Sequence, residues 1–275
     1  MLGLPYSVDT AILAATQAAC VGLTGAGAPS WLARLRGTAW VLVLPGSIAV
    51  VIGAIALAPG TADALTWLAL VAVPPLAAAA LGWAMRGAHP GLAVLAVPLL
   101  VLAWTRQDST LGDACRLALV ALSCVTLGRL LGGLAPSRLL TAGVVAMAVV
   151  DAILVFSHGL QAPNATLNAA VPAPGLPQLQ YADLNGASMG YGDFFVAGVA
   201  GAVIALERRR ALVGFALTLT CALAWDLLFW VRDVLPATVP VAVALLLPQA
   251  VPGAGRAGER RSRAGRAPPA PRTAP

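Results

Sequence analysis

Nine apolar runs recur along this chain, each about 17–24 residues long and separated by short polar breaks. They fall near 8–27, 39–57, 65–84, 89–105, 115–134, 139–157, 188–206, 211–231 and 236–252. Each is long enough, as a helix, to cross a hydrocarbon layer of about 30 Å. Charge supports that reading. Only 10% of residues are charged, against about 25% in an ordinary soluble domain. Apolar residues make up 59%, and mean hydropathy is +0.86. So few charges cannot cover a water-facing surface. A soluble enzyme, a disordered chain and a secreted disulfide scaffold are therefore excluded. The alternating ten-residue strands of an outer-membrane barrel are also missing. The fold class is thus an all-α polytopic membrane protein with about nine transmembrane helices over residues 1–252.

The breaks carry the residues that end helices. Pro59-Gly60 closes the second run, Arg86 and His89-Pro90 divide the third from the fourth, and Arg106 to Asp113 divide the fourth from the fifth. Trp31, Trp40, Trp83 and Trp104 lie near run ends, as in an interfacial aromatic belt. The opening MLGLPYSVDT has no basic n-region, so a cleaved signal peptide is not expected. The connection from about 158 to 187 is the longest and contains no basic residue. It holds an Asn164-Ala165-Thr166 glycosylation triplet, a short and weak signal. Residues 253–275, rich in Arg and Pro, read as a disordered tail.

All 17 basic residues are Arg, and the net charge is +6. Six arginines crowd the last 20 residues and most others sit between apolar runs, which marks topology rather than nucleic-acid binding. Arg34, Arg36, Arg86, Arg138, Arg208, Arg209, Arg210 and the tail arginines fall on one side of the nine-run arrangement; Arg106, Arg116 and Arg232 fall on the other. The first side is expected to be cytoplasmic. The N-terminus then lies outside, the C-terminus and tail inside, and the 158–187 connection outside. The absence of Lys suggests a GC-rich coding sequence and a prokaryotic plasma membrane as the location. Cys20, Cys115, Cys124 and Cys221 show no CxxC spacing, so they read as buried apolar residues, with no metal site and no cofactor expected.

Three carboxylates stand well inside apolar runs: Asp151, Asp193 and Asp226. Each costs at least about 2.5 kcal/mol to insert, so each needs a function or a partner. Asp151 is six residues before Ser157 and Asp193 five residues after Ser188. At 1.5 Å per residue, both lie roughly 8–9 Å below the same membrane face. Two such carboxylates at close range share one proton. The ionised member can activate water while the neutral member donates to a substrate carbonyl. Peptide hydrolysis suits that arrangement. In Gly190-Tyr191-Gly192-Asp193, the glycines allow backbone to approach the acid closely.

These residues resemble the GxGD intramembrane aspartyl proteases, the presenilin and signal peptide peptidase family. Asp151 lies in the sixth run, Gly190-Tyr191-Gly192-Asp193 opens the seventh, and Pro236-Ala237-Thr238 opens the ninth, like the family's Pro-Ala-Leu motif, with Pro240-Val241-Ala242 as the alternative register. Val150 replaces the family's Tyr, and Thr238 its Leu. The resemblance implies a nine-helix bundle and a catalytic Asp151/Asp193 pair. It also implies substrate contacts from Gly190, Tyr191, Gly192, Pro236, Ala237 and Thr238, and from Leu179 to Leu184, with the substrate held as an extended strand. The partners implied are a transmembrane peptide or protein substrate and the lipid bilayer, with no nucleic acid. The inferred orientation is similar to signal peptide peptidases rather than presenilins.

Two other readings compete. Prepilin peptidases share the GxGD motif, but they place a Lys soon after the Asp and face the cytoplasm. A transporter or scaffold using buried carboxylates for ions or protons is the alternative from another class. Asp226 reads as structural, facing Arg129 or a polar bundle interior, with cation binding or proton relay as the alternative. Arg129 also reads as snorkelling to the cytoplasmic interface, and His158 as an interface residue.

Overall fold

The computed structural model describes residues 7–27, 29–58, 60–207 and 211–250. The expected tail at 253–275, Pro59, the arginines at 208–210 and the first six residues of the N-terminus lie outside the described residues. Ten α-helices and one two-stranded hairpin are described, so the fold is that of a mainly helical membrane protein. A helix occupies each of the nine apolar runs: α1 (Val8–Leu23), α2 (Val43–Leu57), α3 (Thr61–Ala79), α4 (Ala96–Thr105), α5 (Thr110–Leu134), α6 (Ser137–Phe156), α8 (Tyr191–Leu206), α9 (Ala211–Asp226) and α10 (Thr238–Ala250). The remaining helix, α7 (Gln161–Ala169), is short and polar and lies in the long connection.

Five continuous helical stretches are long and apolar enough to cross a membrane: Thr38–Leu57, Thr61–Ala84, Thr110–Leu134, Ser137–Phe156 and Ala211–Trp230. The other four apolar stretches are shorter, between 10 and 17 residues: Val8–Leu23, Pro90–Thr105, Tyr191–Leu206 and Thr238–Leu247. Local chemistry sets several boundaries. The Ser7 hydroxyl accepts from the Thr10 amide and that of Ser109 from the Gly112 amide, capping the otherwise unpaired first turns of α1 and α5. Pro74 and Pro75 remove two donors from α3, which closes in a π-helical turn over Ala80–Ala84.

Helix α8 forms the centre of the bundle. Phe194, Val196, Ala197, Val199 and Val203 are all fully buried, among α1, α5, α6, α9 and α10. Small residues set the α5–α8 crossing. A Cβ on Gly128 would collide with the backbone of Gly198, and one on Gly198 with the carbonyl of Cys124. A Cβ on Gly132 would come within 2.8 Å of the Ala202 side chain. Such spacing lets two backbones touch where the surrounding lipid offers no hydrophobic drive for association. Gly201 does the same toward α1, where an added Cβ would lie 2.6 Å from the Val21 carbonyl oxygen.

The 158–187 connection, expected as a loop, is largely structured. After α7, strands β1 (Tyr181–Leu184) and β2 (Ala187–Gly190) pair antiparallel, with Leu184 opposite Ala187. Asn185 and Gly186 make the turn with φ of 51° and 90°, the left-handed pair that a two-residue hairpin requires. The Gln178 and Gln180 amides both donate to the Ala170 carbonyl, at 2.8 and 3.1 Å, tying the hairpin to the end of α7. The strand also corrects the seventh apolar run. Residues 188–190 are extended, and the helix starts at Tyr191. The cause is ladder pairing of Ser188 to Asp183 and of Gly190 to Tyr181.

Candidate functional site

Asp151 sits on the last two turns of α6, and Asp193 is the third residue of α8. These helices pack together, and α10 packs on both. The two carboxylates line one cavity of about 720 Å³. Its walls come from α1, α2, α3, α5, α6, α7, the hairpin, α8, α9 and the start of α10 with the segment leading into it.

Each carboxylate has one oxygen held by a donor. The Thr238 hydroxyl donates to Asp151 Oδ2 at 2.6 Å, and both residues are buried, at 0% and 6% exposure. The Gly190 amide donates to Asp193 Oδ2 at 3.2 Å. Asp193 thereby caps its own helix from the third position, where the helix dipole favours negative charge.

The other expected site residues separate into two groups. Gly190, Tyr191, Gly192 and Ala237 line the cavity beside the acids. Gly192 is exposed, and nothing lies within 4 Å of where its Cβ would be. Tyr191 also has a structural partner: its hydroxyl lies 2.8 Å from Ser123 Oγ on α5. Thr238 reaches the cavity only through Asp151. Pro236 does not line it; its carbonyl accepts from the Val239 amide as α10 begins, and Leu235 and Pro240 face the cavity instead.

No protein-family model, curated protein or solved structure matches this chain.

Two residues outside the expected set belong to the site. Gln17 on α1 is fully buried and lines the cavity. Its Nε2 donates to the Asp193 carbonyl at 3.3 Å and to the Ala237 carbonyl at 2.9 Å. The signal was present as a polar side chain in the middle of an apolar run, but attention to carboxylates alone passes over an amide. Asp226, at the end of α9, lines the same cavity. Its expected neighbour Arg129 is elsewhere. The Arg129 guanidinium donates to the carbonyls of Gly27 and Trp83 and lies 4.1 Å over the Trp83 ring. Those partners follow the C-terminal ends of α1 and α3, so Arg129 stitches the bundle at the end opposite the acids. No cation pairs with Asp226 among the described residues.

The four cysteines are free, and Cys20, Cys115 and Cys124 are buried. His158 takes a left-handed φ of 61° at the end of α6, and its Nδ1 lies 2.8 Å from Gln161 Nε2. Among the described residues no cluster of His, Cys, Asp or Glu could hold a metal ion.

Proposed function

We propose that this chain is an intramembrane aspartyl protease, similar in kind to presenilin and signal peptide peptidase. In this reading it crosses the membrane nine times, with the N-terminus outside. The observation that carries the reading is that Asp151 and Asp193, from helices packed on each other, line one cavity.

The chemistry follows from that pair. One proton is shared between the two carboxylates, because like charges at short range do not both persist. The ionised member takes a proton from a water as the water oxygen bonds to the scissile carbonyl carbon. The neutral member passes its proton to the carbonyl oxygen, giving a tetrahedral diol. Collapse of the diol breaks the C–N bond as a proton moves to nitrogen, leaving an acid and an amine. The substrate is a transmembrane segment or membrane-retained peptide. Its helix has to unwind first, since helical peptide bonds are already paired and covered. The open backbone at Gly192 supports close approach of such an unwound strand to Asp193.

Asp226 in the same cavity favours a second reading, a carrier that binds protons or cations through all three acids. One experiment separates the two. The purified protein in detergent is incubated with labelled transmembrane peptides, beside Asp151→Asn, Asp193→Asn and Asp226→Asn, and fragments are read by mass spectrometry. The protease reading requires cleavage that both dyad variants abolish and Asp226→Asn keeps. Absence of cleavage, with proton or cation flux into liposomes that Asp226→Asn removes, would establish the carrier instead.

A further inference from the structure

An amide is an odd occupant for the fully buried middle of α1. Gln17 shows 0% exposure, and its Oε1 is buried without a hydrogen-bond partner. That orphaned acceptor is a cost to stability that an apolar side chain of the same size would not carry. The compensation lies on the nitrogen. An amide NH2 has two donors. Here one Nε2 contacts the Asp193 carbonyl at the start of α8 and the Ala237 carbonyl just before α10. The next residue, Thr238, donates its hydroxyl to Asp151. A single path of polar contacts therefore runs from the peptide unit of Asp193 through Gln17 to Ala237, and on through Thr238 to the Asp151 carboxylate.

We infer that Gln17 is a positioning residue for the aspartate pair: it clamps the start of α8 to the start of α10 and so sets the separation of Asp193 from Asp151. This rests on the protease reading. The helix starts need such a clamp because both follow non-helical backbone. Gly190 is extended, and residues 233–237 between α9 and α10 form no regular element. Gln17 is rigidly placed by its neighbours. Cys20, one turn along α1, reaches the Ala121 carbonyl on α5 at 3.6 Å, and α1 packs along both α8 and α9.

The test uses the full chain in detergent with Gln17→Leu, and with Gln17→Met as a near-isosteric second variant. Asp193→Asn and Asp151→Asn serve as controls for the reaction itself. Loss of the clamp is expected to lower kcat by about tenfold or more while KM stays within about twofold, since small displacements of reacting groups are costly to rate. The melting temperature should change little, because losing the orphaned Oε1 offsets losing the two Nε2 contacts. Without substrate, amide hydrogen exchange should quicken by about tenfold at 190–193 and 237–241 together, and stay unchanged in α3 and α4. A merely structural Gln17 would lower the melting temperature and leave kcat per folded molecule alone. Wild-type cleavage that the aspartate variants abolish, with both Gln17 variants at the wild-type kcat, overturns the inference and spares the protease. Unchanged exchange at both segments overturns it as well. A wild type that cleaves no peptide overturns the protease reading, and the positioning role falls with it.

Discussion

Replacing Thr238 by Val removes one hydroxyl from the site and keeps the side-chain shape. The lost contact is the 2.6 Å hydrogen bond to Asp151 Oδ2, between residues with 0% and 6% exposure. A hydrogen bond to a charged group is worth about 1.5–3 kcal/mol net. Water cannot replace the hydroxyl at a residue so fully enclosed. If the bond holds Asp151 in its reactive orientation, the loss appears in the transition state. At 1.36 kcal/mol per decade, that is about a 10- to 150-fold fall in kcat/KM. The assay is initial-rate cleavage of a labelled transmembrane peptide across a concentration series, with circular dichroism confirming the fold. Thr238→Ser keeps a donor and should stay within about fivefold of wild type. Thr238→Val retaining more than half the wild-type kcat/KM, with its fold intact, would refute the reasoning. The bond would then be a packing detail, and Asp151 would need no orienting partner.

Further outcomes are expected elsewhere in the molecule. Gly128→Leu places side-chain atoms where the Gly198 backbone lies, so it should destabilise the bundle by about 1–3 kcal/mol or more in denaturant titrations. Gly192→Ala meets open space and should leave stability within about 0.5 kcal/mol, while narrowing access to Asp193 enough to slow cleavage. Tyr181 in the hairpin is held above the ordinary tyrosine value of 10.0, first by burial and then by the nearby Asp183. Its folded form thus keeps the proton where the unfolded chain has lost it. The resulting stability is full below about pH 10 and falls as pH rises through the folded value. Ultraviolet titration of wild type against Tyr181→Phe should show that late-titrating phenol, and an ordinary midpoint would sink the assignment.

Much of the helical architecture was legible in the sequence because lipid imposes a simple rule: each crossing must be apolar and must satisfy its own backbone. The apolar runs therefore mark where helices form, five of them long enough to cross a membrane and four shorter, and the cost of an intramembrane carboxylate singles out Asp151, Asp193 and Asp226. The hairpin was legible too, in Asn185-Gly186, but a connection read as loop conceals it. Three matters needed the tertiary structure. Periodicity places Asp151 and Asp193 at similar depth, yet only packing brings α6, α8 and α10 around one cavity. Thr238 reads as a departure from a motif until its hydroxyl is seen to reach Asp151 from another helix. Gln17 is separated from Asp193 by 176 positions and from Ala237 by 220, a distance over which no local pattern carries information. Hydropathy is a property of single segments, whereas a clamp between two helix starts is a property of how three segments meet.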